Sequence, residues 1–183
     1  MVPVIIGSIN DHFTVAGLDL GLTILRVVVG VTLAMHGLNK IFGGVKIPGT
    51  AGWFESMGVR PGLLNAWMAA LTEIGSGALL ALGLLTPLAA GGMLAIMVVA
   101  GITAHRGNGF FIFNAGGGYE YVLVLGAVAL CLGATGAGKW SLDSVLGLEL
   151  YGITPGFVIT AIAGFGGAAL QLAAFWRPGS VKK

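Results

Sequence analysis

The stretch Leu18–Phe42 reads LDLGLTILRVVVGVTLAMHGLNKIF. It is long and apolar enough for one membrane crossing, because a bilayer core of about 30 Å requires roughly 20 residues of helix. Within it stand Arg26, His36 and Lys40. At about 100° per residue these three fall within an arc of roughly 80°. A single polar stripe therefore runs down a helix otherwise suited to lipid, and that stripe must face protein.

The rest of the chain agrees. Of 183 residues, 56% are hydrophobic and only 9% are charged, and mean hydropathy is +0.96. A soluble domain carries roughly a quarter charged residues. Four further apolar stretches follow, at about Leu63–Leu85, Pro87–His105, Tyr119–Gly136 and Thr154–Trp176. Thr86-Pro87 separates two of them, since proline suits a helix start and ends the helix before it. The 33 glycines fit membrane helices, where small residues let backbones approach closely. The expected fold is all-α and integral to the membrane: one transmembrane domain over 1–183, with a four-helix core over 18–143 and an additional helix over 154–176.

Several function classes are excluded. A net charge of +2 with no basic cluster argues against nucleic acid. A lone cysteine, Cys131, closes no internal disulfide and supplies no paired-thiol metal or redox site. No metal site is expected. Met1–Phe13 has no lysine or arginine, so the first helix is expected to serve as an uncleaved signal. With five spans, Lys40, Lys46, Arg60, Arg106, Arg177, Lys182 and Lys183 fall on one side and Lys139 on the other, while Asp11 and Asp19 precede the first span. The positive-inside rule then puts the N-terminus outside and the C-terminus in the cytoplasm.

Two connections carry more than linker chemistry. In 43–62, Trp53, Phe54 and Met57 fall on one face of a short helix, either an interfacial element or a loop with a tryptophan anchor. In 106–118, Phe110, Phe111 and Phe113 are expected to fold back on the bundle or to lie at headgroup depth.

The buried ionisable residues are the candidates for function, because each is expensive in lipid without a partner or a wet cavity. Counting about 1.5 Å per residue puts Lys40, His105 and Glu120 near one interface, His36 about 9 Å in, Glu73 roughly 15 Å in and Arg26 roughly 24 Å in. Arg26 and Glu73 are therefore the expected ion pair, with His36 as second partner. Such a pair can also serve only to fix helix register. Lys40, Arg106 and Glu120 stand near helix ends, where snorkelling to water is the simpler reading. His105 fits interfacial packing equally well. His36 is the group suited to proton exchange near neutral pH.

At the level of motifs, Arg26 and Gly30 followed by HGLNKIF (His36–Phe42) are similar to the first helix of the DoxX family. The resemblance continues through GTAGWF (Gly49–Phe54), EIGSGA (Glu73–Ala78), GLLTPLA (Gly83–Ala89), GFF (Gly109–Phe111), GYEY (Gly118–Tyr121) and WSLD (Trp140–Asp143). It implies a four-helix membrane core in a prokaryotic plasma (inner) membrane and a link to redox metabolism. The family takes its name from subunits of an archaeal terminal quinol oxidase system with thiosulfate:quinone oxidoreductase activity, and mycobacterial relatives are associated with a membrane oxidoreductase complex. Arg26, His36, Lys40, Glu73, His105 and Glu120 match the family's polar positions, but the resemblance transfers no established catalytic residue. The helix over 154–176 departs from the usual four.

Two functions follow as expectations. The first is a subunit of a quinone-linked oxidoreductase, with Glu73, His36 and Arg26 as catalytic groups, Lys40, His105 and Glu120 lining the cofactor pocket, quinone as cofactor, and the bilayer and other membrane subunits as partners. The second is a non-catalytic subunit that stabilises a larger membrane complex. A small transporter would draw on the same buried charges but commonly shows inverted repeats and broken helices, and no repeat is evident here.

Overall fold

A computed structural model describes the backbone of residues 3–148 and 150–178, and the side chains of 15–148 and 150–178. Asp11, Lys182, Lys183 and the signal reading of Met1–Phe13 lie outside the described side chains. The described chain is all-helical: α1 (Pro3–Phe42), α2 (Lys46–Ser56), α3 (Gly62–Leu82), α4 (Thr86–His105), α5 (Glu120–Thr135), α6 (Leu142–Val145) and α7 (Gly152–Phe175). Four of these are long and apolar enough to cross a membrane: Val15–Phe42 within α1, then α3, α4 and α7. The fifth apolar helix, α5, is shorter at 16 residues. The protein is an all-α membrane bundle with an added C-terminal membrane helix.

Helix α1 starts well before the apolar run that marks it in the sequence. Hydropathy records which residues suit lipid, whereas a helix continues until something breaks it, and no proline intervenes between Pro3 and the apolar run. In α7, Thr154 is extended (φ −132°, ψ 122°), so helical backbone begins at Pro155, a favoured first position. Turns of π-helix at Gly152–Phe157 and Ile162–Gly166 interrupt the α-helix.

The chain runs up and down. α1, α4 and α7 end, and α3 and α5 begin, at one end of the bundle, here called the α2 end; α6 marks the other. Helix α1 packs mainly on α3, α3 also on α4, and α4 on α5 and α7. Small residues set the α1–α3 contact. A Cβ added at Gly37 would lie 2.6 Å from the Ala70 carbonyl, and one at Gly30 would lie 2.6 Å from the Gly77 carbonyl. Gly37 therefore stands level with Ala70 and Glu73, and Gly30 with Gly77.

That register corrects the depth estimate. The first turns of α3 lie alongside α2 rather than α1: a Cβ at Gly62 would strike the Ala51 backbone and the Glu55 side chain, and Glu55 Oε1 accepts the Gly62 N–H at 3.0 Å. Helix α3 is displaced along α1 by about three to six residues, roughly 5–9 Å. Glu73 thus meets the last turns of α1.

The α6 end is closed by charges bonded to backbone. Asp143 accepts from Leu85 N (2.7 Å), Thr86 N (3.0 Å) and Thr86 Oγ1 (2.6 Å), capping the start of α4. Asp19 accepts the Lys139 N–H at 2.9 Å. At the α2 end, α7 is tied to the α2–α3 turn: Arg60 N donates to the Phe175 carbonyl (2.8 Å) and Arg177 N to the Gly58 carbonyl (2.7 Å). The Trp176 indole adds a bond to the Met57 carbonyl (3.1 Å).

Candidate functional site

A cavity of about 360 Å³ opens among α1, α2, α3, α4, α5 and α7 near the α2 end. Its inner walls are apolar, with Val29 and Leu33 from α1 and Met93 and Met97 from α4. Trp53, Phe54 and Met57 line it at and just after α2. These three sit on the predicted short helix, so that segment forms part of the cavity wall. Phe110, Phe111 and Phe113 do not reach it. They are exposed and cluster with one another and with Tyr119.

The polar groups gather at one end. Lys40 Nζ lies 2.7 Å from Glu73 Oε1 and 2.6 Å from Oε2, with the side chains 17% and 7% exposed. Lysine here turns inward instead of snorkelling. A lysine two turns or less from the helix end would ordinarily reach water, but Glu73 is level with Gly37, less than one helical turn from Lys40, and a buried carboxylate left without a partner there would be costly. His36 lines the same cavity and interacts electrostatically with Glu73. From the other side, His105 and Tyr121 pack edge to face, ring centres 5.1 Å apart. His105 Nδ1 is 2.9 Å from the Gly117 carbonyl and Nε2 is 3.0 Å from Tyr121 Oη. A carbonyl only accepts, so Nδ1 carries the proton in this arrangement and Tyr121 donates to Nε2. Gln171 of α7 completes the lining, its amide nitrogen 3.3 Å from Asn65 Oδ1.

The structure thus brings together His36, Lys40, Glu73 and His105 and leaves two of the sequence candidates elsewhere. Arg26 does not pair with Glu73. It is 3% exposed and donates to carbonyls at the α6 end: Nε to Ala137 (3.1 Å), Nη1 to Ala81 (2.6 Å) and Nη2 to Trp140. The expected Arg26–Glu73 pair fails because the α1–α3 register puts Ala81, not Glu73, level with Arg26. Glu120 also lies outside the cavity. Its Oε2 accepts the Ile112 N–H at 3.0 Å, pinning the loop before α5, and its charge is favourable at a helix start. Tyr121 and Gln171 belong to the site but were not singled out in the sequence. Tyr121 sits in the GYEY motif beside the more conspicuous Glu120, and a lone glutamine in an apolar span was the available signal for Gln171.

Among the described residues no three His, Cys, Asp or Glu side chains converge as a metal site would require. The site is instead a ligand-sized apolar cavity with a few converging polar groups, the ordinary form of a small-molecule site. Its setting is a small helical membrane protein with a largely apolar cavity that is polar at one end. The DoxX family model matches residues 21–106, which runs from the middle of α1 to the end of α4 and includes Arg26, His36, Lys40, Glu73 and His105. A Bacillus subtilis (strain 168) protein named "Putative oxidoreductase CatD" is 32% identical over 125 residues, 68% of this chain and 86% of that protein. The chain belongs to the DoxX family. No solved structure matches it.

Proposed function

We propose that this DoxX protein is a quinone-binding subunit of a redox complex in the prokaryotic plasma membrane. The observation that carries the reading is the cavity itself: a largely apolar volume, inside helices suited to lipid, with two hydrogen-bonded polar pairs converging at one end. The word oxidoreductase in the name of the relative agrees with it. A quinone reduced to quinol takes up two electrons and two protons. The electrons come from a partner subunit or a reduced second substrate. The chain's own part is to hold the ring against Leu33, Met93 and Met97 and to offer protons at the two oxygens. Lys40, balanced by Glu73, serves one oxygen. Tyr121, hydrogen-bonded to His105, serves the other. His36 connects the pair to the exterior. In this reading Arg26 and Glu120, away from the cavity, take no part in the chemistry.

The described cations support an orientation as well. Lys40, Lys46, Arg60, Arg106 and Arg177 lie toward the α2 end, and Lys139 and the buried Arg26 toward the α6 end. The positive-inside rule then faces the cavity end to the cytoplasm.

Binding of a short-tail quinone analogue to purified protein, wild type against Glu73→Gln and His36→Ala, tests the proposal. Wild type should bind, and Glu73→Gln should weaken binding about tenfold, equivalent to roughly 1.4 kcal/mol. Absence of binding by the wild type, or equal binding by Glu73→Gln, would overturn it. Full activity of a co-purified complex carrying both substitutions would favour the non-catalytic, stabilising role.

A further inference from the structure

A second apolar groove, of about 480 Å³, runs along the outside of the bundle between α3 and α7, with α4 as its floor. α3 and α7 both pack on α4 and scarcely on each other, which leaves the space between them. Ala69, Ile96 and Gln171 line both this groove and the internal cavity. The two therefore adjoin, with these three residues standing between the polar site and the lipid-facing surface. The groove's outer walls are Met68 and Leu170, both exposed, and Phe175. Gly167 and Ala174 on α7 and Ala95 on α4 add no bulk. Gln171, held by Asn65, stands at the junction.

We infer that this groove is the tail channel of the site. The ligand is an amphiphile with a long alkyl or isoprenoid chain, which enters sideways from the bilayer. Its headgroup lies in the cavity and its chain leaves past Gln171 between α3 and α7. The inference rests on the quinone reading and adds where the chain goes and which residues select for it. The groove has the chemistry of a chain-binding surface: flexible methionine and leucine walls over small residues, and lipid rather than water beyond. The other way out for a chain would be between α1 and α5, where helix contact is slight. On that side the cavity lining includes Thr32 and His36, both exposed, polar groups that suit protons or a polar co-substrate and give an alkyl chain little to bind.

The groove can be filled without touching the cavity. Neither Gly167 nor Ala174 lines the cavity, and a Cβ at Gly167 would meet only Ala95 Cβ at 3.7 Å, an ordinary contact. The double variant Gly167→Leu/Ala174→Leu, reconstituted in lipid nanodiscs, should bind a long-chain quinone about tenfold more weakly than wild type. Its binding of the short-tail analogue should be unchanged. Equal change, or no change, for the two ligands would overturn the tail channel while leaving the headgroup site intact. Binding of neither ligand by the wild type would overturn the headgroup site and the channel together. In the wild-type protein, a quinone carrying a photoreactive group at the chain end should label peptides around Met68 and Leu170. Labelling confined to α1 and α5 would assign the chain to the other way out.

Discussion

The two ends of the bundle use buried charge in opposite ways. At the α6 end, Arg26, Asp19 and Asp143 are bonded to backbone: carbonyls of Ala81, Ala137 and Trp140, and N–H groups of Leu85, Thr86 and Lys139. At the α2 end, the polar groups bond mainly to one another, Lys40 to Glu73 and Tyr121 to His105, around a cavity. Backbone partners are fixed by the fold, so charges that meet them lock loops and helix ends in place. Side-chain partners can trade protons and re-aim. Depth in the membrane alone does not distinguish the two, since Arg26 and Glu73 both lie within apolar helices.

Substitutions at the two ends separate these roles. The largest stability effect is expected for Arg26→Ala, which removes three bonds from a charged donor and leaves three carbonyls to find new partners. A loss of about 3 kcal/mol or more is expected, read as a lowered unfolding midpoint in detergent or bicelles. Retained stability combined with lost ligand binding would break the comparison, moving Arg26 into the working site. Asp143→Ala should follow, at about 1–2 kcal/mol, since it uncaps α4. Asp143→Asn, which keeps an acceptor for one N–H, should recover part of that.

At the α2 end the informative measurement is coupling. Lys40→Met and Glu73→Gln, singly and together, should give an interaction of about 1–2 kcal/mol in stability, with the double variant less destabilised than the sum of the singles. Additive effects would mean that the pair is not maintained in the membrane. Tyr121→Phe should have the smallest stability effect, about 1 kcal/mol or less, because a single neutral hydrogen bond is lost. In the proposed mechanism its effect on quinone reduction should exceed its effect on stability. An unaltered rate would remove Tyr121 from proton delivery.

Much of this was legible beforehand. Hydropathy is local, so the apolar runs marked the helices to within a few residues, with α1 as the exception because its helix outlasts its apolar segment. The polar set His36, Lys40, Glu73 and His105 was also readable, since an ionisable residue in an apolar helix is conspicuous. What could not be read was partnership. Arg26 was expected to meet Glu73 on the assumption that α1 and α3 span the same depth, and α2 breaks that assumption by taking up the first turns of α3. Glu120 was placed with the pocket because it shares a level with His105, yet its carboxylate turns to the Ile112 amide.

The amino-acid sequence by itself determined the solvent of this protein, the membership of its helices and the short list of residues that lipid makes expensive, because each follows from the chemistry of consecutive residues. Only the tertiary structure decided which of them meet. Contacts at Gly30, Gly37, Gly77 and Ala70 set the axial register of α1 on α3, and a shift of roughly 5–9 Å is enough to exchange one ion-pair partner for another. The gap between α3 and α7, and with it the proposed path for a ligand's chain, likewise exists because both helices pack on α4, a fact that no single segment contains.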